Sequence, residues 1–427
     1  MSKHYHLRFG LAAAAIAFSF LSVEPALSDS LPKRQQTKQL VEGLYTNNLE
    51  AATFFQQGVT RYNRSDFKAA ELAFRKALQE DPFIPMARYL LGNALFQQGQ
   101  IDSAAEQYRM AIGLDPNMPE AHYNLGLMLY QQGNIEEAIS AYQQAIALDP
   151  NLAAARYNLG LALEAVGDTE AALSEYTEAV RLNPNSAVAK YNLALLLAKQ
   201  NQVDSAIAAL RQALRNDSQF VQAHYQLGLL LAQQNQITEA KNSFLRATQI
   251  NSRFAPAHYR LGLIFLQQGD VEEAIRRFDW VTQIDPDNVD AYRQLGAALI
   301  KNGEYEQAIA ALERAISLDP YDSLAHYNLA VALHRNQQYE DAISEYQQAI
   351  LLNPKLSLAF YNLGIALQQV GRGQEAVSFL LEARNLFIEE GNLEKIDAVD
   401  QYLTQLNISS TPSPNSFQPM PAITEEP

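Results

Sequence analysis

Residues Pro119–Leu152 read PEAHYNLGLMLYQQGNIEEAISAYQQAIALDPNL, and this stretch decides the fold. It is 34 residues long, and its pattern recurs on both sides without a slip in register. Pro82, Pro116, Pro150, Pro184, Pro286, Pro320 and Pro354 all lie on one 34-residue grid. The two grid points without proline are Ser218 and Ser252, each after an Asp or Asn. A fixed period of this length, with two helical patterns per unit, marks a stacked repeat architecture.

Within the unit, Tyr123 to Gln132 carries Leu125, Gly126 and Leu129 on one side at helical spacing. Gly133-Asn134 makes the turn, and Ile135 to Leu148 forms a second helix with Ala138, Tyr142 and Ala145 inward. Glu136 and Glu137 fall in its first turn, where the helix dipole favours acid. Asp149-Pro150 stops it, because proline lacks a donor and restricts the residue before it. Neither helix buries its apolar face alone, so the units must stack.

The unit resembles the tetratricopeptide repeat (TPR). With Pro119 as unit position 1, the family's small and large residues fall on Leu125, Gly126, Ala138, Tyr142, Ala145 and Pro150. Position 8 holds Gly or Ala in ten successive units, from Gly58 to Gly364, where only a small residue lets paired helices approach. Position 20 is alanine in all ten, from Ala70 to Ala376. The resemblance implies an all-α fold, a right-handed superhelical α-solenoid of ten 34-residue helix-turn-helix units over 51–390. The turn asparagines Asn201 and Asn235, with Ser218 and Ser252, mark units five and six as the expected weak stretch.

The ends depart from the period. Residues 1–28 combine Lys3 and Arg8, an apolar run from Phe9 to Leu21, and small Ala26 and Ser28 at the spacing of a cleavage site. This is the pattern of a secretory signal peptide. The run is short for a membrane span of roughly 20 residues. An uncleaved membrane anchor is the alternative, and membrane contact is expected only in that case. Residues 29–50 form a linker in which Leu40, Leu44 and Leu49 suit a short capping helix. Residues 391–406 form a C-terminal capping helix with Leu393, Ile396, Val399, Tyr402, Leu403 and Leu406 on one face. The tail 407–427 is rich in proline and serine and reads as disordered.

The formal net charge is -15, without a basic stripe, which argues against a nucleic-acid partner. No cysteine is present, so no disulfide, thiolate nucleophile or zinc–cysteine site exists. His122, His224, His258 and His326 share unit position 4, and only His224 and His258 are in adjacent units. Equivalent residues of stacked units lie about 10 Å apart, whereas zinc ligands sit about 2 Å from the ion. These histidines read as surface or packing residues, and no metal or cofactor is expected. Gly371 to Ala376 matches GxGxxA but follows a helix rather than a strand. The acidic pairs Glu136/Glu137 and Glu272/Glu273 recur at helix starts as dipole-complementing surface residues. No catalytic motif is present and no small-molecule substrate is expected, so the chain reads as non-enzymatic.

In tetratricopeptide arrays the first helix of each unit lines a concave groove, at roughly positions 2, 5, 6, 9, 12 and 13. Carried over by position, this implies partner contacts from Tyr123, Tyr157 and Tyr191 at position 5. At position 6 it implies contacts from Asn124, Asn158, Asn192, Asn328 and Asn362. The asparagines resemble the ladder of the O-linked N-acetylglucosamine transferase superhelix, whose amides bind an extended peptide backbone. Here the ladder is interrupted by Gln226, Arg260 and Gln294. Arg260, Arg293, Lys301 and Arg335 put positive charge into the same face of an acidic protein, where focusing of the field draws an anion. The expected partner is therefore an extended, acidic segment of another protein. The resemblance to exported bacterial members of the family implies a scaffold in the periplasm or an equivalent lumen, in assembly of an envelope or membrane complex. The rival expectation is a structural solenoid that self-associates or bridges through its convex face. Trp280, at position 26 among polar counterparts, is the candidate contact for that role.

Overall fold

The computed structural model describes residue 46 and residues 48–409. Residues 1–28, expected as a signal peptide, the expected linker up to residue 45 and the expected tail from residue 410 lie outside the described residues. The chain divides into two compact units, Met1–Gln202 and Val203–Pro427.

All regular structure among the described residues is helical. The first unit holds α1 (Leu49–Asn63), α2 (Phe67–Glu80), α3 (Pro85–Phe96), α4 (Ile101–Leu114), α5 (Pro119–Gln131), α6 (Ile135–Leu148), α7 (Ala153–Ala165), α8 (Thr169–Leu182) and α9 (Ala187–Lys199). The second holds α10 (Val203–Asn216), α11 (Val221–Gln233), α12 (Ile237–Ile250), α13 (Ala255–Gln267), α14 (Val271–Ile284), α15 (Val289–Asn302) and α16 (Tyr305–Leu318). It continues with α17 (Ser323–Arg335), α18 (Tyr339–Leu352), α19 (Ser357–Gln369), α20 (Gly373–Glu390) and α21 (Leu393–Ser409). Within each unit every helix packs on the next, an all-α arrangement of stacked helix pairs.

The core is built from one interlock repeated along the chain. A large side chain at position 24 is pressed onto the position-8 glycine of the paired helix. A Cβ at Gly92, Gly126 or Gly160 would lie within 2.7 Å of the ring of Tyr108, Tyr142 or Tyr176. Gly228 and Gly262 stand in the same relation to Phe244 and Phe278. The ring's other side meets the position-5 tyrosine of the first helix, with centroids 6.1 Å apart for Tyr123 and Tyr142 and 5.9 Å for Tyr157 and Tyr176.

The inter-unit turn explains the Asp-Pro pair. The Oδ1 of Asp81, Asp115, Asp149 or Asn183 accepts the backbone N–H two residues on, at 3.0–3.2 Å. Such a turn substitutes a side chain for a backbone acceptor. Asp217 and Asn251 make the same bond at 2.9 and 3.0 Å. Ser218 and Ser252 therefore leave the turn itself intact.

Inside each unit the turn at position 15 is left-handed. Glycine fills it at Gly99, Gly133 and Gly167, whereas Ser65, Asn201, Asn235 and Gln337 adopt φ near 60° with a side chain in place. Glutamine gains no local side-chain bond that favours this region. Gln337→Gly is therefore expected to raise stability by about 1 kcal/mol, relief of the left-handed penalty outweighing glycine's unfolded-state entropy. Urea denaturation checks this, and an unchanged midpoint would count against it.

At the C-terminal end α21 lays Val399, Tyr402 and Leu406 against the array, and Arg384 of α20 binds Asp400 through two bonds of 2.6 and 3.1 Å. The helix runs through Ser409, three residues into the stretch expected as tail. Asn407, Ile408 and Ser409 contain no proline, and the first helix breaker is Pro412.

Candidate partner-binding face

The position-5 tyrosines and position-6 asparagines meet, but chiefly with each other. Asn158 Nδ2 donates to the hydroxyl oxygen of Tyr123 at 3.0 Å and to the Ala154 carbonyl at 3.0 Å. Asn192 Nδ2 donates to Tyr157 at 2.8 Å. Asn124 Nδ2 donates to Asn93 Oδ1 at 3.0 Å and reaches the Tyr89 hydroxyl at 3.4 Å, and Tyr108 donates to the same Asn93 oxygen at 2.7 Å. In the second unit Asn362 donates to Tyr327 at 3.1 Å. Each pair is 35 residues apart and ties the first helices of neighbouring repeats. The amide donors expected for a peptide are thus committed within the chain. The Oδ1 of Asn124, Asn158 and Asn192 accepts no bond among the described residues, and the phenol O–H of Tyr123 and Tyr157 keeps its proton to donate. Burial pushes the Tyr89 and Tyr123 hydroxyls up to about 12, so both stay neutral near pH 7.

Tyr191 sits half-buried on α9 and has a partner within the chain. Asn328 is half-buried without a tyrosine, because the residue 35 before it is Arg293. Arg293 is already paired within the chain. Expected to present an open fork to a partner's carboxylate, it pairs with Asp290 on its own helix, and its Nε lies 3.2 Å from Asp322 Oδ2. Asp322 is held by capping α17, accepting from Leu324 N and Ala325 N. The Arg293 charge is spent inside the array. Arg260 is half-buried and makes no ion pair among the described residues. Lys301 is exposed and Arg335 half-buried, each with a partner in the chain.

The histidine column has a structural explanation that the sequence pattern contained but did not reveal. Nε2 of His122, His224, His258 and His326 lies 3.1–3.2 Å from the carbonyl oxygen six residues earlier, in the preceding inter-unit turn. Arg156 donates to the Pro150 carbonyl in the same way. Position 4 also faces position 23 of the second helix, as in Arg156–Glu175 at 3.0 Å and His326–Glu345 at 2.6 Å. Trp280 serves the same turn from the second helix. Its Nε1 donates to the Ser252 carbonyl at 2.9 Å and its ring tilts against His258, with the side chain 40% exposed.

Comparison with known proteins bears on this repeated geometry. The model described as TPR repeat matches residues 92–133 and 126–167. The one described as tetratricopeptide repeat matches overlapping stretches from 157–219 to 327–386. Together they span more than half of the chain. The chain belongs to the tetratricopeptide repeat family. No curated protein matches it. Among solved structures this TPR chain is similar to YrrB, described as a TPR protein with an unusual peptide-binding site. The identity is 24%, over 44% of this chain and 96% of that one, with a TM-score of 0.42. It is similar to pilF of Pseudomonas aeruginosa at 23% identity, over 48% of this chain and 92% of that one, TM-score 0.43. It is similar to MamA of Desulfovibrio magneticus at 22% identity, over 40% and 96%, TM-score 0.38. TPR arrays are in general non-enzymatic scaffolds, and membership of the family makes this chain a scaffold for protein–protein interaction.

Proposed function

We propose that the TPR array holds an extended segment of a partner protein against the first helices of its repeats. One observation carries the reading: the Tyr123–Asn158 and Tyr157–Asn192 pairs each leave one O–H donor and one amide oxygen acceptor. A peptide unit offers the complementary C=O and N–H. First helices of neighbouring repeats stand about 8–10 Å apart. A polyproline II segment advances about 9 Å per three-residue turn. Such a segment presents the same backbone edge to each successive pair. In the second unit, Arg260, Lys301 and Arg335 favour an acidic segment. The pattern of residues 1–28 supports action outside the cytoplasm, in assembly of an envelope or membrane complex.

The joint variant Asn124→Ala, Asn158→Ala, Asn192→Ala tests the reading. Helix content should persist, since alanine favours helices. Some stability should be lost, because three bonds between repeats of about 1 kcal/mol each go with the amides. Affinity for a peptide from a partner captured by in-cell cross-linking should fall by about tenfold or more, measured by calorimetry. A folded triple variant with wild-type affinity would refute the ladder as the binding element.

A further inference from the structure

Glu164 is the only acid at position 12 of the ten repeats. It lies on α7 two turns beyond Tyr157, with Leu161 between them, so the three share one stripe at i, i+4 and i+7. Its Oε2 accepts the Tyr176 hydroxyl of α8 at 3.0 Å. Tyr176 is 0% exposed, and its ring centroid stands 5.9 Å from that of Tyr157. A buried ring thus fixes where the carboxylate sits. Tyr130, at position 12 of α5, feels the same charge: burial, and then Glu164, hold its hydroxyl above its ordinary value. Burial and then Glu164 act in the same sense on Tyr176. These phenols stay neutral near pH 7 and offset none of the carboxylate's charge. A carboxylate has about four lone-pair sites, and Tyr176 fills one of them. Glu164 is half-buried and makes no ion pair among the described residues. Lys199, 35 residues on at position 13 of α9, is exposed and likewise makes none among the described residues.

We propose that Glu164, with Tyr130, Tyr157 and Tyr176 beside it, receives a cationic side chain, arginine or lysine, of the segment held on the first unit. This rests on the reading of a segment along the first helices and adds the residue type that the first unit selects there. A carboxylate partly withdrawn from water and left without a counter-charge is costly, and a ligand cation relieves that cost. An ammonium or guanidinium group donates to the free Oε1 in a charge-assisted bond, shorter and stronger than a neutral one. The half-buried rings of Tyr130 and Tyr157 add their negative faces to the attraction. The Tyr157 ring is held for this, because Asn192 donates to its hydroxyl at 2.8 Å and the Tyr176 ring packs against it. The half-buried Leu161 between Tyr157 and Glu164 offers an apolar surface to the methylene stem of either cation. An acidic side chain in the same place would meet a like charge and be rejected. The selection is opposite in sign to that proposed for Arg260, Lys301 and Arg335 in the second unit.

The probes are blocked alanine heptapeptides whose central residue is arginine, lysine, norleucine or glutamate. Their dissociation constants for the full chain are read by ligand-observed NMR. The arginine and lysine peptides should bind about tenfold tighter than the norleucine peptide, as expected for one bond to a charged group. The glutamate peptide should bind most weakly. Glu164→Gln keeps an oxygen for the Tyr176 hydroxyl, so the fold should persist. It should bring the arginine peptide down to the norleucine peptide without changing the affinity of the latter. Glu136→Gln removes the same formal charge from the start of α6 and should leave the preference intact. Equal affinity of the wild type for the arginine and norleucine peptides overturns the cation site but leaves a segment on the first helices. A preference that survives Glu164→Gln, or that Glu136→Gln abolishes as well, also overturns it and shows general attraction to an acidic chain. Binding of no peptide overturns it too, and the ladder is then judged by the asparagine variant alone.

Discussion

Tyr142→Ala is expected to destabilise the third repeat by about 3–5 kcal/mol, the cost of emptying a fully buried aromatic site. The ring is 1% exposed, is pressed on Gly126 and is tilted against Tyr123. Its loss empties the contact between α5 and α6 and removes the surface on which Tyr123 is positioned for Asn158. Tyr142→Phe should cost under about 1 kcal/mol, because Phe74, Phe244 and Phe278 fill the same position elsewhere. The reciprocal change, Gly126→Val, adds side-chain carbons where even a Cβ would lie 2.6 Å from the Tyr142 ring. Overpacking of this kind costs about 1–3 kcal/mol. Combining Gly126→Val with Tyr142→Ala should cost less than the sum of the two, since each relieves the other. Because repeats contact only their neighbours, the loss should be local. Hydrogen exchange should accelerate first over residues 119–152, and equal acceleration in all repeats would argue against this interlock.

The interlock also shows how much of the protein was legible in its residues. The 34-residue grid, the position-8 glycines and the position-20 alanines sufficed for the helix pairs and the family. They sufficed because the same packing problem is solved once per repeat, so noise at one site is outvoted by the others. The position-6 asparagines were identifiable as a ladder, but not the direction of their bonds. That depends on a tyrosine 35 residues earlier, one more than the repeat, and the signal was the recurrence of Tyr at position 5 beside Asn at position 6. The ion pairs of Arg293 were hidden for the opposite reason. Its acids, Asp290 and Asp322, occur once, and no periodicity draws attention to a single ion pair. The histidine column was visible, but its target is a backbone carbonyl, which carries no sequence signature at all.

The second large effect is a loss of stability between pH 6.5 and 4 governed by His334. The side chain is 8% exposed, its Nδ1 has no partner, and its ring stands edge-on to Tyr339 and Tyr346. Burial, and then the neighbouring Arg335 charge, push its pKa down to about 4. In the unfolded chain it titrates near 6.5. As pH falls below about 6.5 the unfolded state takes up a proton that the folded state refuses until about pH 4. The contribution is therefore fully present above pH 6.5, is lost progressively down to pH 4 and is constant below that. The span corresponds to at most about 3 kcal/mol, at 1.36 kcal/mol for each pH unit. Burial also lowers His224 and His258, with Arg246 and Arg277 adding in the same sense, so part of the slope belongs to them. His334→Leu isolates the remainder, and Leu266 occupies the same unit position in α13 with the same low exposure. Urea denaturation of both proteins from pH 7.5 to pH 4 should show the wild type losing more stability than the variant as pH falls, the variant's curve being the flatter by up to about 3 kcal/mol over the range. Parallel curves would mean that His334 takes up its proton in the folded chain as readily as in the unfolded one, and would rule out a buried neutral imidazole at this position.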